Sequence, residues 1–340
     1  MFTRTLGKSG IKVSAMGLGC WAIGGPLWYS EGTDRLPLWW GKVDDSESIQ
    51  AIHRALDLGV SFFDTADSYG AGHSERVLGQ ALVGKRHQVI VATKFGEVFD
   101  EETKDWLGYP HPDGVLTPAF IRQSCEASLR RLDTDYIDLY QCHWRDYDPS
   151  LAADLVPVLK DLVAEGKIRW YGWSTPYPER ARVFAAGEHC VAIQYNYNLL
   201  ERNPEMLVLC EEYNLASIAR GPLAMGLLTG KFRPDSQIYQ DDVRSFLWDL
   251  QQGKEAKQLE MLQAIREILT QDGRTLPQAA LGWLWARGTQ IIPITGFRTV
   301  KQVEENVGAL EFGPLSSEQM REIDRVLGKY VDLDALNLLD

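Results

Sequence analysis

The sequence predicts an α/β protein built as a closed (β/α)8 TIM-type barrel, and three observations carry that prediction. Short apolar runs rich in β-branched and aromatic residues alternate with helical patterns about eight times over 340 residues. No composition shift or Pro/Ser-rich linker breaks the alternation, so residues 1–340 are expected to form a single domain. The runs also end in polar residues, and in a closed barrel such ends ring one mouth. In a doubly wound open sheet, the other architecture that such alternation allows, they would lie in a row.

The elements follow in order. Phe2–Leu6 and Ile11–Val13 alternate around Gly7-Lys8-Ser9-Gly10 and read as a small hairpin. The strand-like runs are Met16–Cys20, Val60–Phe63, Val89–Thr93, Tyr136–Cys142, Ile168–Gly172, Val191–Ile193, Leu215–Ala219 and Ile291–Ile294. Between them, Ser46-Glu47 opens a helix over Ser48–Leu58, and Thr117-Pro118 caps Ala119–Leu132. Leu151–Glu165 stops at Gly166, Asn203-Pro204 starts Glu205–Tyr213, and Thr299 precedes Val300–Leu310. Ser316-Ser317-Glu318 starts the last helix. Three connections are too long for the repeat: Gly24–Asp45, Gly96–Gly114 and Thr229–Gln252. All follow strands, which places them at the C-terminal face of a barrel, where long loops form lids and binding walls.

Charge and cysteine content exclude several functions. With 35 Lys+Arg against 47 Asp+Glu the net charge is −12, which offers no footprint for nucleic acid. Charged or polar residues interrupt every apolar stretch before the ~20 residues that a membrane span needs. Met1–Gly10 has no apolar core of a secretory leader, so a cytoplasmic location is expected. The five cysteines are scattered without a C-x-x-C pair and read as reduced core thiols. No His motif has metal-ligand spacing, and no metal is expected.

The strand ends carry the chemistry. The second run leads into Asp64-Thr65-Ala66-Asp67-Ser68-Tyr69-Gly70, the third ends in Lys94 and the fourth in His143. The remaining ends are Ser174, Gln194, Arg220 and Thr295-Gly296. A tyrosine hydroxyl, with an ordinary pKa of about 10, is a poor acid at neutral pH. A buried lysine beside Tyr69 lowers that value, Asp64 supplies the counter-charge that the lysine needs, and His143 orients a carbonyl oxygen. Together these residues make general acid–base machinery for carbonyl–alcohol interconversion. A Schiff-base aldolase would leave Tyr69 and His143 without a purpose. A glycosidase needs paired carboxylates, and the strand ends supply one.

Phe62-Phe63-Asp64-Thr65-Ala66-Asp67-Ser68-Tyr69-Gly70 with Ser74-Glu75 and Leu78-Gly79 resembles the aldo-keto reductase signature. Val91–Gly96, Leu139–Trp144 and Gly226–Lys231 resemble further segments of that family, in order along essentially the whole chain. The resemblance implies a barrel floor closed by the N-terminal hairpin, an extended nicotinamide cofactor, and the catalytic tetrad Asp64, Tyr69, Lys94 and His143. It implies NADPH-dependent reduction of an aldehyde or ketone. The alternative within the same family is a regulatory NADP-binding subunit with slow chemistry.

The cofactor leaves marks of its own. Gly296-Phe297-Arg298-Thr299 leads into a helix whose N-terminus suits an anion, and Arg298 favours the 2′-phosphate of NADP. By resemblance Gln302, Glu305 and Asn306 lie at the adenosine end, and Lys231 contacts the pyrophosphate. Ser174 and Gln194 hold the carboxamide, and Trp21, Asp64, Gly221, Leu223 and Gly226 line the rest of the cofactor site. Two positions depart from the family pattern. Thr175 stands where an asparagine is usual, and Arg220 where an aromatic residue often stacks on the nicotinamide; its guanidinium either stacks or reaches the pyrophosphate. Trp21, Trp28, Trp106 and Trp144 are candidates for the walls of the substrate pocket, suited to aromatic or alicyclic carbonyls or to keto-sugars. The oligomeric state leaves no trace in the sequence.

Overall fold

The computed structural model describes residues 2–31, 34–110 and 114–330. Gly32-Thr33 of the first long connection, His111-Pro112-Asp113 of the second, and residues 1 and 331–340 of the expected domain lie outside the described residues. Eight parallel strands close a barrel: Gly17–Gly19, Phe62–Asp64, Ile90–Phe95, Ile137–Cys142, Ile168–Ser174, Cys190–Asn196, Ala216–Arg220 and Ile291–Gly296. The last pairs with the first through Ile294↔Gly17, Thr295↔Leu18 and Gly296↔Gly19. Every expected run contains a strand. The fifth and sixth run further than expected, because Ser174 stays in the ladder opposite Gln194 and Asn196 opposite Arg220.

The hairpin Thr3–Thr5/Lys12–Ser14 closes the floor. Leu6 and Val13 join Phe62, Leu139, Val191, Ile218 and Ile292 in the barrel interior. Burying a side chain such as Leu6 contributes about 1.5–3 kcal/mol. At the hairpin turn, Gly7 has φ 51°, and a Cβ there would stand 2.2 Å from the Val191 carbonyl oxygen, so only glycine fits. The larger apolar cluster lies between barrel and helices, where Ile52, Leu78, Ile121, Leu159, Phe184 and Trp283 pack.

The helix starts follow their caps. Thr117 accepts from Phe120 N–H with Pro118 in the first turn, and Ser316 forms a capping box with Gln319. The first helix begins earlier than expected, at Asp45, because Asp44 rather than Ser46 accepts the free N–H groups of Ser46 and Glu47. The expected helix Leu151–Glu165 is two, Pro149–Ala152 and Leu155–Ala164, since Asp148 and Pro149 start a separate short turn. Lys254–Thr270 and Leu276–Arg287 both lie between the seventh and eighth strands. The second of these is buried on almost every side, so no one-sided apolar stripe marks it.

The long connections are not plain loops. Trp28–Glu31, Asp34–Pro37, Val98–Phe99 and Asp105–Gly108 form a four-stranded sheet over the mouth, tied by Arg35 to Asp105 at 2.9 Å. The third connection fastens to the first: Val243 N–H donates to Trp39 O at 2.7 Å, and Trp40 bridges Asp242. Among the described residues no helix is long and apolar enough to cross a membrane.

Candidate active site

Parallel register brings the strand ends together. Asp64 ends the second strand, Lys94 stands opposite Gln141, and His143 N–H donates to Phe95 O at 2.7 Å. Tyr69 hangs from the connection after Asp64, which the close approach of two glycines holds in place. Gly70 has φ 59°, and a Cβ there would stand 1.7 Å from the Gly24 carbonyl oxygen. Ser74 Oγ adds a bond to Cys20 O at 2.9 Å.

Lys94 is wholly buried and spends its three donors locally: Asp64 Oδ1 at 2.6 Å, Thr65 O at 2.7 Å and the Tyr69 hydroxyl at 3.2 Å. Burial works against its charge, but Asp64 and Tyr69 outweigh it and hold Lys94 above the ordinary lysine value. The other Asp64 oxygen accepts from Gln194 Nε2 at 2.7 Å and Gln141 Nε2 at 3.1 Å. A buried ion pair whose oxygens are all occupied in this way is the arrangement in which attraction offsets desolvation. Tyr69 departs from expectation. Burial pushes its pKa up, against the downward pull of Lys94, and the net shift is upward.

His143 has a partner that the motif reading did not include. Its Nδ1 lies 2.9 Å from Glu97 Oε2, with the two side chains 10% and 15% exposed. Glu97 is also bonded by the Ser68 and Trp106 side chains. Burial raises its pKa, but His143 and these bonds prevail and hold Glu97 below the ordinary glutamate value. Gln141 is the second omission; a glutamine one residue before the end of a buried strand was the available signal.

Three of the four tryptophans reach this centre. Trp21 stacks on Tyr69 with ring centroids 6.1 Å apart, Trp106 bonds Glu97, and Trp144 follows His143 and stacks on Tyr109 at 4.2 Å. Trp28 packs instead on Trp39 and Arg35, one layer outward.

The expected cofactor residues line a path from the fifth strand to the eighth. Ser174 Oγ and Thr295 Oγ1 are buried and have no hydrogen-bond partner among the described residues. Arg220 ends the seventh strand, and Gly221, Leu223 and Gly226 shape the turn after it, with φ 58° at Gly221 and 97° at Gly226. Lys231 is held below the ordinary lysine value by burial and by Arg244, with Arg298 adding to the effect. Gly296 has open space around it, Asn306 is buried, and the exposed Glu305 accepts at its backbone oxygen from Gln278.

Two of the expected cofactor residues have partners within the protein. Gln194 Nε2 donates to Asp64 at 2.7 Å. At the helix N-terminus Glu47 Oε1 accepts from Val300 N–H, Gln302 Oε1 from Arg298 N–H and Thr299 Oγ1 from Gln302 N–H. Arg298 itself donates to Trp40 O at 2.8 Å and Lys42 O at 2.5 Å, which ties the first long connection to the start of this helix.

The model of the aldo/keto reductase family matches residues 15–327. An NADH-specific methylglyoxal reductase from Escherichia coli is 33% identical over 95% of this chain and 98% of its own. The solved glycerol dehydrogenase from Gluconobacter oxydans is 33% identical with a TM-score of 0.80, covering 97% of this chain and 96% of that one. An aldo-keto reductase from Klebsiella pneumoniae, solved with NADPH, is 28% identical with a TM-score of 0.68 over 96% and 95% of the two chains. With the barrel, the motifs and these matches in register from end to end, the chain belongs to the aldo/keto reductase family.

Proposed function

We propose that the chain, acting as a single domain, reduces an aldehyde or ketone to the alcohol with NADPH, and that Tyr69 is the acid. Membership of the family makes it an oxidoreductase; the residue roles are our reading. The observation that carries them is the contact of the Tyr69 hydroxyl with Lys94 at 3.2 Å, with Asp64 neutralising that lysine at 2.6 Å. The buried, unpartnered hydroxyls of Ser174 and Thr295 and the cations Lys231 and Arg298 fit a carboxamide at one end and phosphates at the other. When bound, the cofactor supplies hydride to the carbonyl carbon.

The protein's own residues manage the proton. Because burial keeps Tyr69 protonated, it meets the carbonyl oxygen as a neutral donor. As the proton leaves, the Lys94 ammonium faces the developing phenolate and stabilises it. His143, whose ring lies 5.9 Å from that of Tyr69, orients the same oxygen, while its Nδ1 lies 2.9 Å from Glu97 Oε2. Glu97 therefore acts through His143 as a positioning residue.

Glu97→Gln removes the negative charge and keeps the shape. The variant is expected to lose about tenfold in kcat/KM, mainly in kcat, while NADPH binds within about twofold of wild type. An unchanged kcat would show that Glu97 only packs. Glu97 also stabilises the fold above the ordinary glutamate range, and that stabilisation is lost as pH falls through its depressed value.

In this reading the Arg220 guanidinium, at the end of the seventh strand, lies beside the nicotinamide ring and is free to face the substrate as well, and that ring becomes cationic on oxidation. Arg220→Ala is expected to tighten NADP⁺ more than NADPH in fluorescence titrations; equal effects would exclude the stacked placement. The reaction itself is tested by following NADPH oxidation over a panel of aldehydes, ketones and keto-sugars, with NADH in parallel. Tight NADPH binding without turnover on any of them would favour the regulatory reading instead.

A further inference from the structure

We propose that Arg145 and Arg220 form an anion-recognition site beside the reaction centre, so that the substrate is a carbonyl compound carrying a carboxylate or phosphate group. The inference rests on the reading of Tyr69 as the place of carbonyl reduction and adds the substrate class to it.

Both arginines sit at the mouth, Arg220 at the end of the seventh strand and Arg145 two residues after His143. Neither guanidinium has an ion-pair or hydrogen-bond partner among the described residues, and the Nε atoms of both are buried. This is unusual in a chain with 47 carboxylates against 35 basic residues, where most of the other buried cations are paired. Burial and the nearby Arg145 charge both act against protonated Arg220, so the two cations lie within each other's field. The carboxylates that also act on Arg220 are committed elsewhere: Glu201 accepts from Lys254 at 2.9 Å and Asp64 from Lys94 at 2.6 Å. Two like charges within each other's field and without a counter-ion repel, and an anion between them relieves both the repulsion and the desolvation.

The backbone of Arg145 is held in place. Thr175, at the position where the motif departs, donates its hydroxyl to Arg145 O at 2.6 Å, and Trp173 Nε1 donates to Trp144 O at 2.9 Å. The position of Arg145 separates it from the cations expected at the cofactor's phosphates. Arg145 follows the fourth strand, whereas Lys231 and Arg298 lie beyond the seventh and eighth, on another part of the ring. Arg145 also lies in the field of Tyr109, whose ring stacks on Trp144. The aromatic walls and the cation thus face one substrate, with an apolar body and an anionic end.

The test uses substrate pairs that differ in charge: succinic semialdehyde against butanal, and glyceraldehyde 3-phosphate against glyceraldehyde. The wild-type protein is expected to favour the charged member of one pair by at least about tenfold in kcat/KM, mainly through KM, with the preference shrinking as salt rises. Which pair shows it distinguishes carboxylate from phosphate. In Arg145→Gln the preference is expected to fall close to one while the Kd of NADPH shifts less than about twofold. A wild-type preference near one, or one that survives in Arg145→Gln, would overturn the proposal. So would a loss of NADPH affinity matching the loss of activity, which would assign the cations to the cofactor's diphosphate. Absence of turnover on every carbonyl would sink the reductase reading. Anion binding is then read from tryptophan fluorescence on titration with succinate or inorganic phosphate: a Kd raised about tenfold in Arg145→Gln supports the site, and an unchanged Kd or no binding overturns it.

Discussion

Tyr69→Phe is expected to lower kcat/KM for carbonyl reduction by about 10²–10⁴-fold, the contribution of a positioned general acid. The substitution removes one oxygen from a side chain whose ring packs between Trp21 at 6.1 Å and His143 at 5.9 Å. Those contacts remain, and so do the two other bonds of Lys94, to Asp64 and to Thr65 O. The fold and the cofactor path therefore stay intact, and NADPH should bind within about twofold of wild type. The loss should appear in kcat more than in KM, because the proton is transferred only in the transition state. The upward shift of Tyr69 adds a pH signature: the wild-type tyrosine remains a neutral acid throughout the physiological range, and its contribution fades only in strong alkali. Residual kcat/KM within tenfold of wild type would move the acid to His143, leaving Tyr69 as a packing group.

The barrel was readable because buried parallel strands have a plain signature, an apolar run with no polar face. Polar residues at the ends of such runs were an anomaly, and closing the sheet turns that anomaly into a ring. The mouth was less readable. Trp28–Glu31 and Asp34–Pro37 are strands because they pair with each other, and the first also with Asp105–Gly108, nearly eighty residues on; no local period announces such pairing. Glu97 stands near Asp100, Glu101 and Glu102, where a carboxylate looks solvated; tertiary structure alone places it against His143. Arg298 has a second role that its local sequence did not announce: a cation at a helix start, it also donates to the first long connection. For Tyr69 the error was one of magnitude. The lysine acts in the direction that was expected, and burial acts more strongly.

Lys94→Met is expected to destabilise the fold by about 3–5 kcal/mol, the range for removing one partner of a buried ion pair. The variant fills nearly the same space, so the loss is electrostatic rather than a cavity effect. It leaves the Asp64 carboxylate in the barrel with two amide donors, Gln141 and Gln194, and no cation. Asp64→Asn in the same background removes the stranded charge and should recover most of the loss in urea unfolding, because a neutral pair needs no compensation. The Asp64→Asn single variant strands the Lys94 ammonium, which keeps bonds to Thr65 O and Tyr69. It is therefore expected to lose less than Lys94→Met. A double-mutant cycle closes on these three proteins, and a coupling energy near zero would mean that the pair serves neither stability nor charge balance. Activity divides the roles differently. The double variant is expected to be stable yet inactive, since the tyrosine then lacks the ammonium that stabilises its phenolate. A stable and active double variant would remove Lys94 from the chemistry and leave it a structural residue.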